Sequence, residues 1–85
     1  MRMSWNYRVT YRGKNAMEGY SIREVYYNED GDIVLYTENP VEPFGDIEEE
    51  LEECLRMMQM AFEKPTLNLD GVDYLIRTNP GSVKK

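Results

Sequence analysis

The spacing of apolar residues changes once along this chain, between a strand-like first half and a helix-like second half. In residues 5–12 apolar and polar side chains alternate strictly, which is the pattern of a half-buried β-strand. From residue 47 to residue 62 apolar residues recur at intervals of three and four, which is the pattern of an amphipathic helix. The chain has 85 residues, enough for one domain. Strands followed by a helix predict an α+β fold.

A second strand is predicted from about Tyr20 to Tyr27, with an apolar pattern that shifts phase. Tyr20 and Ile22 share one face, whereas Val25 and Tyr27 share the other. Two explanations remain open at this point. Either a β-bulge near Arg23 and Glu24 re-aims the chain, or the strand is central and buried on both faces.

Turn residues separate the predicted strands. Gly13-Lys14-Asn15 follows the first strand, and residues 28–32 predict a hairpin loop with Gly31 at a positive φ. The third strand runs from Ile33 to about Thr37, before the prolines of the connection. Two short apolar pieces, in residues 66–69 and 72–76, are divided by Asp70-Gly71, and one of them can add an edge strand.

The helix has the clearest boundaries. Asp46 is expected to cap it, with Glu49 reaching back in a capping box, and Lys64-Pro65 to stop it near Glu63. The apolar stripe is expected to pack on the sheet, so Leu55→Asp should unfold the protein. The stripe consists of Ile47, Leu51, Leu55, Met58 and Phe62.

These elements predict a three-stranded antiparallel meander followed by one helix packed on one sheet face, β-β-β-α with room for a short fourth strand. Residues 1–77 are expected to form the single domain and residues 78–85 a disordered tail.

The net charge of −6 is unevenly distributed. Residues 1–27 carry five basic and two acidic side chains, whereas residues 28–63 carry twelve acidic ones and a single base, Arg56. An acidic surface repels phosphate backbones, so nucleic acid is an improbable partner. The glutamates of residues 48–53 are typical of a solvated helix face.

Composition also bears on chemistry and location. Cys54 is the only cysteine and there is no histidine, so we expect no disulfide, no metal site and no cofactor. Cys54 lies on the apolar stripe and is expected to be a small buried hydrophobe. Without a nucleophile motif or a phosphate-binding glycine loop, we expect no catalytic residues and no enzyme. No apolar run is long enough to cross a membrane, and the lone thiol favours the cytoplasm.

Aromatic residues are concentrated in the strands, which carry seven of the ten. One helix covers only one face of a three-stranded sheet, so some of these side chains should be exposed unless another chain covers them. Three interpretations remain: a core with scattered exposed tyrosines, a homodimer interface, or base stacking on the sheet. The candidate interface residues are Trp5, Tyr7, Tyr11, Tyr26, Tyr27 and Tyr36.

Three strings of residues carry a resemblance to known proteins: Ser4-Trp5-Asn6-Tyr7-Arg8-Val9, the Ile22-to-Tyr27 strand, and the Pro40-to-Gly45 connection with the acidic helix. Together they resemble a group of short bacterial proteins of unknown function, over about residues 4 to 69. More distantly, three strands followed by Gly45-Asp46-Ile47-Glu48-Glu49-Glu50-Leu51 are similar to the HicB-type antitoxins. The Pro-Gly-Cys/Ser approach of that family and its DNA-binding helices are missing from this sequence.

The sequence therefore predicts a small non-enzymatic protein that acts by protein–protein contact, as an interaction or regulatory module. A homodimer is the expected assembly, and an unidentified protein partner is the other possibility. The alternative function is a HicB-like antitoxin that uses its acidic helix against a basic toxin.

Overall fold

The computed structural model describes residues 3–13 and 18–78, with side chains described up to residue 73. The predicted α+β fold is confirmed. The elements in chain order are β1 (Ser4–Arg12), β2 (Gly19–Tyr27), β3 (Ile33–Tyr36), α1 (Glu48–Gln59), a 3-10 helix (Met60–Glu63), β4 (Leu67–Asn68) and α2 (Leu69–Thr78).

The four strands form one sheet in the order β3-β2-β1-β4. β1, β2 and β3 are the predicted antiparallel meander, and β1 pairs with β2 in one continuous register from Ser4↔Tyr27 to Arg12↔Gly19. β4 is the short fourth strand. It pairs parallel to β1 through Thr10↔Leu67 and Tyr11↔Asn68.

The phase shift in β2 is explained by its central position. No register shift interrupts its pairing with β1, and Arg23, Val25 and Tyr27 are buried on one face while Ile22 is half-buried on the other. The irregularity of this sheet lies instead between Tyr26 and Tyr27, where β2 pairs with β3. β2 is therefore a central strand and the bulge near Arg23 and Glu24 is wrong, but only one face of the strand is buried, since Tyr20 on the other face is 73% exposed.

The hairpin loop between β2 and β3 has the predicted form. Gly31 has a φ of 85°, a left-handed conformation that glycine adopts without steric cost. The side-chain oxygen of Asn28 accepts hydrogen bonds from the N–H groups of Asp30 and Asp32, both at 3.0 Å. The predicted turn at Gly13-Lys14-Asn15 falls mostly on residues 14–17, outside the described residues.

Helix α1 begins one residue later than predicted. Ile47 is the N-cap and no side chain caps the helix, so the prediction for Asp46 is wrong. Instead the Glu50 carboxylate accepts a hydrogen bond from the Asp46 N–H at 3.0 Å. Gly45 passes so close to the helix start that a Cβ there would clash with the backbone nitrogen of Leu51. The helical segment ends at Glu63, as predicted, with Lys64 extended before the proline.

Helix α2 was not predicted. Asp70-Gly71 was interpreted as a break, but both residues are helical. The Asn68 side chain accepts a hydrogen bond from the Asp70 N–H at 3.0 Å, which satisfies one free donor of the first turn. Thr78, the first residue of the expected disordered tail, is instead the last residue of α2, and residues 79–85 lie outside the described residues.

The hydrophobic core lies between the sheet and α2. Its cluster consists of Val25, Tyr27, Ile33 and Val72, with Leu69 fully buried as well. A helix therefore lies on each face of the sheet. The sequence predicts that α1 covers the core, but α1 lies on the face opposite to it.

The prediction that the whole stripe of α1 packs on the sheet is wrong. Met58 is 4% exposed, but Leu55 is 45% exposed and Phe62 is 69% exposed. The stripe stays exposed because α1 is anchored only near its C-terminal end. There Met58 of α1 and Ala61 of the following 3-10 helix are buried. Substitution of Leu55 by aspartate is therefore no longer expected to unfold the chain.

None of the helices within residues 3–13 and 18–78 is both long enough and apolar enough to cross a membrane.

Candidate interaction surfaces

The six aromatic residues predicted to form an interface lie on opposite faces of the sheet. The register places Trp5, Tyr7, Tyr11 and Tyr26 on the α1 face. Tyr27 and Tyr36 lie on the α2 face, where Tyr27 is 1% exposed in the core. Trp5 is exposed, Tyr7, Tyr11, Tyr26 and Tyr36 are half-buried, and Tyr27 is a core residue.

Three rings of the α1 face form an aromatic cluster near the start of β1. The rings of Trp5 and Tyr7 meet edge to face with centroids 5.1 Å apart, and Trp5 lies 6.3 Å from Tyr26. A hollow of about 180 Å³ separates Trp5 and Tyr7 from Met57 and Met60. We call these five residues the Trp5 patch. Trp5 and both methionines are exposed.

Tyr7 connects this patch to Cys54. Its hydroxyl lies 3.9 Å from the Cys54 Sγ. Burial, followed by the hydrogen bond and charge interaction with Cys54, raises the pKa of Tyr7 to about 12. Cys54 is half-buried rather than fully buried, and its described hydrogen-bonding neighbour is a phenol rather than a base.

A second apolar surface lies on the other side of α1. The apolar side chains of the helix face β2 and the extended connection across a groove of about 390 Å³. The connection is held beside β2 by a hydrogen bond of 2.9 Å from the Val41 N–H to the Ile22 oxygen. We call this surface the α1 groove, and its apolar lining consists of Ile22, Pro40, Val41, Pro43, Leu55, Met58 and Phe62.

The α1 groove continues into an acidic hollow at the N-terminal half of the helix. This hollow, of about 370 Å³, is lined by Glu48, Glu49, Leu51, Glu52 and Leu55. Leu55 lines both, so the apolar and acidic surfaces are contiguous. The glutamates are exposed, as predicted for a solvated charged face.

The α2 face is built differently, around buried arginines. Arg23 is 1% exposed. Its guanidinium donates to both carboxylate oxygens of Glu18 at 2.8 Å, to Thr10 Oγ1 at 2.9 Å and to the Thr37 carbonyl at 3.1 Å. A buried charge needs such a set of partners, and Arg23 has a complete one.

Arg8 is the direct cross-strand neighbour of Arg23 and is also fully buried. It donates to the Tyr27 hydroxyl at 3.0 Å and to the Pro65 carbonyl at 2.8 Å, while its Nε has no hydrogen-bond partner. Within the described part of the chain, Arg8 forms no ion pair with a carboxylate. Its charge is therefore less well compensated than that of Arg23.

Arg12 joins the sheet to α2. It donates to Asp73 at 3.0 Å and to the Tyr36 hydroxyl at 2.6 Å, and Tyr36 in turn donates to Asp73. Burial lowers the pKa of Arg12, but Asp73 and Tyr36 outweigh it, and the net pKa is raised. Burial and the bond to Asp73 raise the pKa of Tyr36, against the opposing effect of Arg12.

Sequence reasoning missed this network because alternation assigned these side chains to the solvent face. A usable signal was present: residues 8, 12 and 23 are all arginine, and the pairing of the first two strands brings them to one face. Arg12 holds α2 on the sheet through Asp73, whereas the hydrogen bonds of Arg8 and Arg23 go to the strands and the segments that flank them.

Among the residues whose placement is described, no three cysteine, aspartate or glutamate side chains are grouped so as to hold a metal ion. The Asn28 oxygen, at the start of an acidic loop, is engaged by backbone N–H groups.

Neither a protein-family model, nor a curated protein, nor a solved structure matches this chain. The resemblance to short bacterial proteins and to HicB-type antitoxins stays a prediction.

Proposed function

We propose that this protein is a non-enzymatic protein–protein interaction module that docks through the α1 groove. The observation that carries the proposal is the exposure of the helix stripe. Leu51, Leu55 and Phe62 have the spacing of a core-facing stripe, yet they are open to solvent. Exposed apolar residues that lie together mark interaction sites more often than isolated ones do.

The balance of exposed and buried apolar residues supports this proposal. Among the described residues, eleven large apolar side chains are exposed and eight apolar side chains are buried. Single exposed apolar residues are normal in a monomer. Here, however, Leu51, Leu55 and Phe62 lie along one side of one helical segment and line two adjoining hollows. A partner that covers this side would complete the burial of the amphipathic helix.

Photo-crosslinking tests the proposal. A benzophenone amino acid at position 55 should form a discrete adduct with another protein in an extract of the source cells. The control carries the same group at position 29, in the exposed hairpin loop. Phe62→Ser in the position-55 protein should remove the adduct. Absence of an adduct at position 55, or the same adduct at position 29, contradicts the proposal.

A second candidate role is self-association through the Trp5 patch. Trp5, Tyr26 and Leu35 form a row across β1, β2 and β3, and Trp5 and Leu35 are exposed. The charged residues of the adjoining hollow are one acid and one base, Glu63 and Lys64, so two copies can meet there without like-charge repulsion. Tryptophan and tyrosine are enriched at interface cores, and roughly 800 Å² per partner is a standard contribution.

Sedimentation equilibrium at micromolar concentration tests the homodimer. We expect a mass twice that of the 10.1 kDa chain and a shift toward the monomer in Trp5→Ser. Tyr20→Ser is the control, because Tyr20 is 73% exposed on the same face but lies at the far end of β2. A mass near that of one chain, independent of concentration, contradicts self-association.

The third candidate is the HicB-like inhibitor, favoured by the exposed glutamates of the acidic hollow. Such an antitoxin should be encoded beside a small basic toxin, which inspection of the neighbouring genes tests directly. All three roles suit the cytoplasm, whose reducing conditions keep a thiol such as Cys54 free.

A further inference from the structure

We propose that the α1 groove and its acidic hollow bind an apolar, lysine- or arginine-rich segment of a different protein, not a second copy of this chain. This inference rests on the proposed function and specifies the chemistry of the partner. It follows from the contiguity of an apolar surface and an acidic one around a single helix.

The apolar part of the site accepts aliphatic or aromatic side chains. Leu55 and Phe62 on the helix face Val41 and Pro43 of the connection, and nothing in the described residues covers the groove between them. Phe62 is 69% exposed, so a ligand side chain that covers it would remove apolar area from water.

The charged part of the site selects the sign of the ligand. Residues 42–53 carry seven acidic side chains and no basic one. Arg56 is the single base of α1, and it already pairs with Glu53 and, at 3.9 Å, with Glu52. The potential around the hollow is therefore negative, which favours and steers a cationic partner.

The same charges disfavour a second copy at this site. Two copies joined groove to groove would bring two sets of these acidic side chains into one interface. Like charges placed together repel each other and disfavour such a partner. The Trp5 patch has no such excess of one sign, which separates the surface suited to self-association from the α1 groove.

Synthetic peptides about as long as α1, roughly 12 residues, provide the probes. The first is an amphipathic helix-forming peptide of leucine and lysine. The second replaces lysine by glutamate, and the third replaces leucine by serine. Fluorescence anisotropy with the intact protein should show binding of the leucine–lysine peptide only. Its affinity should fall with added salt, because surface charges are screened.

Variants locate the bound peptide. Leu55→Ser or Phe62→Ser should weaken binding about tenfold or more, as expected for loss of one buried apolar side chain. The double variant E48Q/E52Q should weaken it about tenfold. The double variant E29Q/D30N removes the same charge from the exposed hairpin loop and should leave the affinity within about twofold. Circular dichroism verifies that each variant is folded.

Several results overturn the inference: no binding of the leucine–lysine peptide, equal binding of either control peptide, or equal weakening by E29Q/D30N and E48Q/E52Q. If both Leu55→Ser and Phe62→Ser bind the leucine–lysine peptide as tightly as the wild type does, the inference is overturned as well. These failures are distinguishable from failure of the proposed function. If position 55 forms a crosslink to a protein but the leucine–lysine peptide does not bind, the proposed interaction module is supported. Only the inferred chemistry of its partner is then wrong.

Discussion

The two faces of the sheet differ in how completely they are covered: the α2 face buries arginines together with the apolar core, whereas the α1 side leaves apolar side chains exposed. On the α2 face, Arg8 and Arg23 are almost fully buried among tyrosine, threonine and serine side chains. On the α1 side, Leu55 and Phe62 are open to water although they belong to an apolar stripe. The difference shows that burial in this small domain depends on which element covers a residue, more than on the polarity of the residue itself. The α2 face is closed within the chain, whereas the α1 side is left available to a partner.

The strongest test of this comparison places the same charge on both sides. Val25→Asp should unfold the protein, because Val25 is fully buried and an unpaired buried carboxylate costs several kcal/mol out of a total stability of about 5–15 kcal/mol. Leu55→Asp should cost at most about 1 kcal/mol, because that side chain is already half exposed. Thermal melts followed by circular dichroism measure both. Unfolding by Leu55→Asp would show that the stripe is packed after all.

The next test separates the two buried arginines. Arg23→Met should cost about 3 kcal/mol, because it leaves Glu18 and several buried oxygens without their donor. Arg8→Met should change stability by less than about 1 kcal/mol, or raise it, because Arg8 forms no ion pair with a described carboxylate and its desolvation is costly. Urea denaturation gives both values. Equal losses would mean that the two charges are equally well compensated.

Sequence reasoning succeeded for most local features, but not for the Asp46 cap or for the helix that runs through Asp70-Gly71. Alternation located the strands, Gly31 located the hairpin, and Pro65 located the end of the helical segment. It failed at tertiary choices. Arg8 and Thr10 alternate with apolar residues as a solvent face would, yet both are fully buried on the α2 face of the sheet.

The candidate surface shows the same division. The apolar stripe of α1 could be recognised from its period, but the period indicates only that one side of the helix is suited to burial. It does not state whether the cover is the sheet of the same chain or another protein. The aromatic candidates Tyr27 and Tyr36 were grouped with Trp5 by residue type, whereas the strand register separates them.

A smaller effect is expected from removing the Tyr36 hydroxyl, which links β3 to α2 by hydrogen bonds. Tyr36→Phe removes the hydroxyl shared by Arg12 and Asp73 and should cost about 1–2 kcal/mol. The pKa of Tyr36 is raised on folding, so the folded state holds the proton more tightly. The contribution of the Tyr36 hydroxyl to the free energy of unfolding is fully present below the ordinary tyrosine pKa of 10.0. It is lost as pH rises through the raised pKa of the folded state. The Phe variant should therefore lose less stability than the wild type when pH is raised above 10.0, as measured by urea denaturation across that range.

The smallest effect is expected on the exposed side of α1. Arg56→Gln removes ion pairs with Glu52 and Glu53, but all three side chains are more than half exposed. Surface pairs of this kind contribute about 0.5 kcal/mol or less. A loss above about 1 kcal/mol in the same urea assay would show that the charges of α1 stabilise the fold and are not merely solvated.

The two-residue strand β4 has a consequence for the order in which the molecule folds. The β1–β2 hairpin needs only neighbouring stretches of chain, whereas the contacts that lead into α2 join distant ones; Arg8 and Pro65 are 57 positions apart. Closing a loop of this length carries an entropic cost that slows the search for the native contacts. During synthesis Val25, Tyr27 and Ile33 emerge long before Val72, the residue that completes their cluster. A nascent chain must therefore expose that half-built core until Val72 has emerged, and this interval is when it is most open to aggregation or to a chaperone.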